Sequence, residues 1–281
     1  MLQVFEKVSD IQAYISECRK NNLFIGFVPT MGALHSGHAS LVTLAKKQND
    51  VVIVSIFVNP TQFNDKKDLD KYPRTLDADV HLLAPFGVDV IFAPTSTEVY
   101  PKGDTYDNVI DLGGLDTYMD GAFRPGHFTG VAQVVKRLLD IVTPDRLYMG
   151  QKDFQQFTII SYMIRTLKIP TELVVCKIIR EPNGLAMSSR NERLSRDTRD
   201  KAGIIFKTLQ AVKKYRNKKT VEALEGYAMR RLSAPPFEPE YVKIVDGYTL
   251  TPLTDISSST YAVVCVAVWA DGVRLIDNII L

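Results

Sequence analysis

The stretch that decides the fold is GFVPTMGALHSGH, residues 26–38. Its apolar first half predicts a buried strand, a glycine turn follows at Thr30-Met31-Gly32, and Ser36 is placed to cap a helix. This order predicts an anion site, because the first N–H groups of a helix lack backbone partners and carry the positive end of its dipole. His35 and His38 stand three residues apart at the helix start, so both can face one ligand.

The rest of the first two thirds repeats the order of strand and helix. VVIVSIFV at 51–58 is β-branched and apolar throughout, as expected for a central parallel strand. Other strands are predicted at 23–28, 88–92, 147–149 and 173–179. Helices are predicted at 10–21, 75–86 and 131–142, and a further helix is predicted to start at the run 150–153 and to end at about 167. The alternation predicts an α/β fold, a Rossmann-like, doubly wound parallel sheet.

The pattern changes after residue 180. Pro182-Asn183-Gly184 predicts a turn. Helices are then predicted at about 195–215 and 220–232, and strands at 241–245, 261–269 and 273–280. Helices followed by strands predict a smaller C-terminal α+β domain. We therefore expect domains at 1–181 and 182–281, with the turn as a hinge and the smaller domain as a lid.

Composition narrows the class of protein. The chain has 281 residues, of which 46% are hydrophobic and 23% charged, as in ordinary globular proteins. The net charge of +2 lacks the basic excess that a nucleic-acid partner requires. The N-terminus lacks the basic then apolar pattern of a signal peptide, and no apolar run approaches the roughly 20 residues that span a bilayer. We expect a cytoplasmic protein with neither a nucleic-acid nor a membrane partner.

The cysteines also indicate a cytoplasmic protein. Cys18, Cys176 and Cys265 are odd in number, widely spaced and set among apolar or helical residues. No zinc-like spacing occurs among them. They predict buried, reduced thiols in a reducing compartment.

Two well-known nucleotide motifs are excluded at the opening stretch. Gly32 and Gly37 have the GxxxxG spacing of a P-loop, but His38 and Ala39 stand where that motif needs Lys and Ser or Thr. The glycine pattern of dinucleotide-binding turns is absent as well. A nucleotide site would then take positive charge from the two histidines and from cations elsewhere in the chain. The alternative is two unrelated polar residues in a loop.

Polar residues also follow other predicted strands. Asn59 and Gln62 come after 51–58, where ligands of parallel sheets bind, although a turn with a cap would use the same residues. Gly150-Gln151-Lys152-Asp153 repeats the strand, glycine and helix order. The run 124–128, RPGHF, predicts a tight, non-helical segment. Asp79 lies on the predicted helix 75–86, where we expect it to face solvent.

Several motifs together resemble one family. HSGH at 35–38 resembles the HxGH signature of the nucleotidylyltransferase superfamily, and MSSR at 187–190 resembles the phosphate-binding loop of that superfamily and of class I aminoacyl-tRNA synthetases. VNPTQF, YPRT, RPGHF, GQKDFQQ and RLIDN follow in order. With them the chain resembles the pantothenate synthetase (pantoate–β-alanine ligase) family over nearly its whole length.

The resemblance implies ATP-dependent condensation of pantoate with β-alanine through a pantoyl adenylate, giving pantothenate, AMP and pyrophosphate. A nucleotidylyltransferase that moves AMP or CMP onto a phosphate-bearing acceptor is the alternative. Such an acceptor would favour basic residues where the amides Asn59, Gln62 and Gln156 stand. A non-catalytic nucleotide-binding module would have no use for four cationic or imidazole groups.

The resemblance also implies residue roles, Mg²⁺ with ATP, and a homodimer. The catalytic residues would be His35, His38, Lys152 and Arg190. ATP would contact Met31, Gly32, Ala33, Leu34, His35, Ser36, Gly37, His38, Gly150, Gln151, Lys152, Asp153, Ile179, Met187, Ser188, Ser189 and Arg190. The substrates would contact Asn59, Gln62, Arg124 and Gln156, and the metal would contact Asp79. Gln151 departs from the glutamate expected there, and Ala78 stands where a second acid can occur.

Overall fold

The computed structural model describes residues 2–62, 69–70, 72–101 and 110–281. Phe63, the last residue of the VNPTQF motif, lies outside this range. The strands are β1 Gln3–Phe5, β2 Ile25–Thr30, β3 Val51–Ile56, β4 Val90–Phe92, β5 Arg146–Gly150, β6 Glu172–Cys176, β7 Phe237–Asp246, β8 Ala262–Ala270 and β9 Val273–Ile280. The helices are α1 Val8–Lys20, α2 Ser36–Gln48, α3 Leu76–Leu83, α4 Ser96–Val99, α5 Asp120–Phe123, α6 His127–Val142, α7 Phe154–Thr166, α8 Arg196–Lys201, α9 Ile204–Tyr215 and α10 Val221–Leu232.

Six strands form a parallel sheet in the order β1-β4-β3-β2-β5-β6. The predicted doubly wound parallel sheet is therefore confirmed. The strand order reverses between β2 and β5, which pair at Gly26↔Arg146 and Phe27↔Leu147. Ligands of such sheets bind beyond the carboxyl ends of the strands at this reversal. The ends of β2 and β5, at Thr30 and Gly150, are therefore where a ligand is expected.

The described chain divides into two compact units. Unit 1 holds residues 1–112, 124–150 and 159–176, and unit 2 holds 113–123, 151–158 and 177–281. Unit 2 thus includes two short segments from the first half of the chain. The predicted domains, 1–181 and 182–281, stay a prediction about folding units and lid motion.

Unit 2 has a three-stranded antiparallel sheet in the order β7-β8-β9. Its inner face packs with residues of α9 and α10, such as Leu209 and Leu224, in one buried cluster. The predicted α+β arrangement is confirmed. The single helix predicted at 195–215 is wrong, because α8 and α9 are separate helices there. Gly203 lies between these two helices. A larger residue does not fit there, because its Cβ would overlap the carbonyl oxygen of Asn183.

Two local predictions were wrong, and one strand was missed. His35, not Ser36, is the N-cap of α2, because its imidazole accepts the capping hydrogen bond. The run 124–128 is not wholly irregular, since α6 begins at His127. β1 was missed because three residues with a mostly exposed pattern carry too little periodicity to detect.

All three cysteines are buried and outside any disulfide, as predicted. Burial raises the pKa of Cys18, raises that of Cys176 to about 11, and raises that of Cys265 further. None of the described helices is long and apolar enough to cross a membrane.

Candidate active site

Hydrogen bonds to Asp79 hold the turn after β2, residues 31–35. Gly32 and Ala33 have φ values of +81° and +50°, in the left-handed region that favours glycine. One carboxylate oxygen of Asp79 accepts from the N–H of Leu34 at 2.7 Å, and the other accepts from that of Ala33 at 3.1 Å. The Asp79 residue is only 2% exposed, so the predicted solvent-facing position is wrong. Asp79 fixes the shape of this turn.

The two histidines cap α2 through their own rings. Nδ1 of His35 accepts from the N–H of Gly37 at 3.1 Å, and Nδ1 of His38 accepts from the N–H of His35 at 3.3 Å. An accepting Nδ1 carries no proton, so each ring is the neutral tautomer with its proton on Nε2. The rings lie 4.1 Å apart between centroids. The structure therefore presents two adjacent imidazoles as Nε2–H donors.

These contacts change the expected source of anion binding. The N–H groups of Ala33, Leu34, His35, Gly37 and His38 are already bonded to side chains or carbonyls of the protein. The expectation that the first N–H groups of α2 lack partners is therefore wrong. At these five positions a ligand would meet side chains rather than main-chain N–H groups, and ATP binding by this turn stays a prediction.

Beyond β3, Asn59 and Gln62 form a buried polar loop. Nε2 of Gln62 donates to the sulfur of Met31 at 2.9 Å. Nδ2 of Asn59 lies 3.2 Å from the carbonyl oxygen of Gly130 and 3.3 Å from Oε1 of Gln62. Asn59 is 1% exposed, and a Cβ on Gly130 would stand 2.5 Å from the carbonyl oxygen of Thr61. Asn59 holds the loop that carries Gln62, and a substrate contact for either amide stays a prediction.

Arg124 and His127 support the same loop. Nδ1 of His127 lies 2.8 Å from the main-chain oxygen of Gln62, so it must donate to that oxygen. Nε2 then accepts from a guanidinium nitrogen of Arg124 at 3.0 Å. Arg124 therefore acts on Gln62 through a neutral imidazole. Direct binding of substrate by Arg124 stays a prediction.

In unit 2, the turn after β5, residues 151–153, is held at its carbonyl groups. Nδ2 of Asn278 donates to the carbonyl oxygens of Gln151 and Lys152 at 2.9 and 3.0 Å. Nζ of Lys152 lies 3.4 Å from Asp153. Gln156 is half-buried in the first turn of α7.

The segment 187–190 is also in unit 2. The N–H of Met187 donates to the carbonyl oxygen of Ile179 at 2.9 Å, which pairs the predicted adenosine contact with the predicted phosphate loop. Oγ of Ser188 accepts from the N–H of Arg190 at 3.3 Å, so its hydroxyl proton can still be donated. Ser189 begins a short 3₁₀ helix that contains Arg190.

Comparison with known proteins decides the family. The model of the pantoate-beta-alanine ligase family matches residues 3–280. The chain belongs to this family. It is therefore an enzyme of the ligase type.

Relatives of the pantoate-beta-alanine ligase family agree in sequence and in structure. A pantothenate synthetase of Bacteroides thetaiotaomicron is 48% identical over 99% of this chain and 98% of its own. A pantothenate synthetase structure from Thermus thermophilus has a TM-score of 0.91 at 41% identity, covering 99% of this chain and 98% of its own. A pantoate-beta-alanine ligase of Francisella tularensis, complexed with beta-gamma ATP and beta-alanine, has a TM-score of 0.76 at 33% identity, covering 100% and 98%.

The side chains of this family member bear on a resident metal site. Among residues 2–62, 69–70, 72–101 and 110–281, no cluster of three or more His, Cys, Asp or Glu side chains could hold a metal ion. Both oxygens of Asp79 accept main-chain N–H groups. The described residues do not fit a protein-bound Mg²⁺, and metal contact by Asp79 stays a prediction.

Asp277 and Asn278 were the site-linked residues that sequence reasoning did not interpret. The RLIDN motif supported the family resemblance, but no role was predicted for it. The usable signal was a polar pair inside an otherwise apolar strand pattern. Both residues are buried, at 4% and 2% exposure. Buried polar side chains are hydrogen-bonded, so a polar pair in a buried strand indicates a partner elsewhere in the chain.

Proposed function

We propose that the chain catalyses ATP-dependent condensation of pantoate with β-alanine, giving pantothenate, AMP and pyrophosphate through pantoyl adenylate. The observation that carries the proposal is the family match, which spans residues 3–280 and so includes every predicted site residue. The complex of the Francisella tularensis relative with beta-gamma ATP and beta-alanine supports the choice of substrates.

The first step needs charge stabilisation more than proton transfer. A carboxylic acid with a solution pKa of about 4 is ionised at neutral pH, so the pantoate oxygen attacks without a general base. A bond forms from that oxygen to the α-phosphorus of ATP, and the bond from the α-phosphorus to pyrophosphate breaks. Negative charge therefore moves onto the leaving pyrophosphate. Fixed hydrogen-bond donors and cations are what lower this barrier.

The predicted phosphate contacts supply those groups. The Nε2–H groups of His35 and His38 are neutral donors, while Lys152 and Arg190 carry positive charge. In this proposal all four bind phosphate oxygens, with Ser188 and Ser189 adding hydroxyl donors. The Nδ1 bonds favour His38 as a hydrogen-bond donor over a proton donor, because protonating Nδ1 would break its bond to the N–H of His35.

The second step uses the activated carbonyl. The neutral amine of β-alanine attacks the pantoyl carbon, a C–N bond forms, the C–O bond to AMP breaks, and the amine loses a proton to solvent. We assign Gln62 and Gln156 to pantoate, and Gln62 also to β-alanine. Amides bind the hydroxyl groups of pantoate without adding a charge that would compete for its carboxylate.

Three further expectations belong to this proposal. Mg²⁺ would accompany ATP and offset the charge of its phosphates. The homodimer and the cytoplasmic location stay predictions from the sequence. Sedimentation of the purified chain would measure its oligomeric state.

The test is isotope exchange. With ATP, Mg²⁺ and pantoate but no β-alanine, the enzyme should move labelled pyrophosphate into ATP, because adenylation is reversible and separable. Omitting pantoate should abolish the exchange. Folded protein that shows no pantoate-dependent exchange would exclude the proposed reaction. Exchange that instead depends on a phosphate-bearing acceptor would favour nucleotidyl transfer.

A further inference from the structure

Asn278, near the end of β9, makes three hydrogen bonds to the turn at residues 151–153. Its Nδ2 donates to the carbonyl oxygens of Gln151 and Lys152, at 2.9 and 3.0 Å. Its Oδ1 accepts from the side-chain amide of Gln151 at 3.1 Å. With 2% exposure, Asn278 uses its polar atoms inside unit 2. Water cannot replace these bonds without opening the turn.

Asn278 is itself held in place by Asp277. The N–H of Asn278 donates to Oδ1 of Asp277 at 2.8 Å. The guanidinium of Arg180 binds both carboxylate oxygens of Asp277, at 2.6 and 2.9 Å, and its carbon lies 3.6 Å from the centre of the Phe206 ring. A bidentate, stacked guanidinium has a fixed geometry. The pair 277–278 is therefore a rigid support for the turn.

We propose that Asn278 is a positioning residue for Lys152 in the adenylation step. The proposal rests on the proposed function, in which Lys152 binds the phosphates of ATP. Asn278 touches neither ATP nor the reacting atoms. It fixes the main chain from which the Lys152 side chain starts, so the ammonium group is held where phosphate charge develops.

Preorganisation is the physical reason for such a support. A lysine side chain has four rotatable bonds, and its ammonium can bind phosphate in many geometries. Fixing its main chain removes part of this freedom before ATP binds. A displacement of about 1 Å, caused by a change away from the reacting atoms, can lower a rate about 100-fold. A polar contact at the base of Lys152 is therefore expected to affect catalysis.

The test uses Asn278→Ala and Asn278→Leu in the full chain. Leucine keeps the approximate size of asparagine but has no donor for the two carbonyl oxygens. We expect pantoate-dependent pyrophosphate exchange to fall about 100-fold in both variants, with a raised KM for ATP and little change in the KM for pantoate. Amide formation from added pantoyl adenylate and β-alanine should change less than threefold, roughly, because pyrophosphate has already left.

The matched control is Asp120→Asn, also in unit 2. Oδ1 of Asp120 accepts from Tyr241 and Arg274 at 2.7 and 2.6 Å, in a buried network without a predicted phosphate contact. Urea unfolding of each variant separates loss of stability from loss of rate. We expect the control to lose stability without a selective loss of exchange.

The outcomes distinguish this inference from the proposed function. No exchange by the wild-type protein would overturn the proposed function and this inference together. An active wild type with unchanged exchange in both Asn278 variants would overturn the inference alone. Equal losses in exchange and in amide formation would also overturn it, because a general structural defect lowers both steps.

Discussion

Two strand-to-helix turns in this enzyme look alike in sequence but are supported in opposite ways. The turn at 31–35 is held by a carboxylate, because Asp79 accepts the N–H groups of Ala33 and Leu34. The turn at 151–153 is held by an amide, because Asn278 donates to carbonyl oxygens. The supporting side chain therefore binds main-chain N–H groups at 31–35 and main-chain carbonyl oxygens at 151–153.

The difference indicates what each turn can offer to ATP. At 31–35 the N–H groups of Ala33, Leu34 and His35 are bonded within the protein, so the proposed phosphate contacts of this turn rest on the imidazoles of His35 and His38. At 151–153 the support engages carbonyl oxygens, which repel phosphate in any case. There both the main-chain N–H groups and the Lys152 ammonium suit an anion. In the proposed reaction one turn contributes neutral imidazoles and the other contributes charge.

The largest effect is expected from Lys152→Ala, which removes the charge of the second turn. The rate of pyrophosphate exchange should fall by about 10² to 10³, because a donor to the developing charge is lost. Unfolding free energy should fall by only about 1 kcal/mol, since the Lys152 side chain, 18% exposed, has one ion pair of 3.4 Å, to an Asp153 side chain that is 46% exposed. Lys218→Ala, at an exposed position, is the control. Equal losses of rate and stability would make Lys152 a structural residue.

Asp79→Ala breaks the support of the first turn and should have the next largest effect. It leaves two main-chain N–H groups without their acceptor, so the unfolding free energy should fall by about 2 to 4 kcal/mol. Exchange should fall as well, because His35 is the last residue of this turn and His38 lies three residues beyond it. Asp77→Ala, at an exposed position on the same helix, should be nearly neutral. Wild-type stability in Asp79→Ala would show that the turn keeps its shape without the carboxylate.

The smallest effect is expected from a change of pH, which compares Asp79 with a second carboxylate that binds main-chain N–H groups. Asp246 also accepts two successive main-chain N–H groups, those of Tyr248 and Thr249, but on the surface of unit 2. Burial raises the pKa of Asp79 above its ordinary value of 3.8 despite its hydrogen bonds. At Asp246 the effect of burial is outweighed by hydrogen bonds from Ser259, Thr249 and Tyr248, which lower the pKa.

The two carboxyl groups should therefore oppose each other in acid. Stability from Asp246 is present above 3.8 and is lost as pH falls through its lowered pKa. Asp79 has the opposite sign, because its folded form binds the proton more tightly, so its contribution declines as pH rises from 3.8 through its raised pKa. Urea unfolding of wild type, Asp246→Asn and Asp79→Asn between about pH 3 and 6 measures both slopes. Slopes of the same sign would contradict this assignment.

The parallel sheet and the motifs could be predicted from the sequence because both are local patterns. The apolar run predicted as a strand at 51–58 contains β3, Val51–Ile56, and the motif HSGH is continuous. The supports of the two turns were not predictable in this way. Asp79 lies 45 residues after Leu34, and Asn278 lies 126 residues after Lys152. Only the folded chain brings such partners together, and neither residue type reveals by itself which main-chain groups it binds.

The same reason explains the mistaken cap of α2. Serine is a common N-cap, so local propensity favoured Ser36. Imidazole is a rarer cap, but two histidines three residues apart can each bond the other's main-chain segment. The pattern that predicted a ligand site thus also determined where the helix begins.

The shielded thiols make the protein convenient for spectroscopy. The chain's three cysteines are all buried, and burial raises the pKa of each thiol, so little thiolate is present at neutral pH to react with maleimides. A cysteine introduced at an exposed position such as Lys218 would be the preferred site for a fluorophore or spin label. Such a label could be attached without first removing the native cysteines.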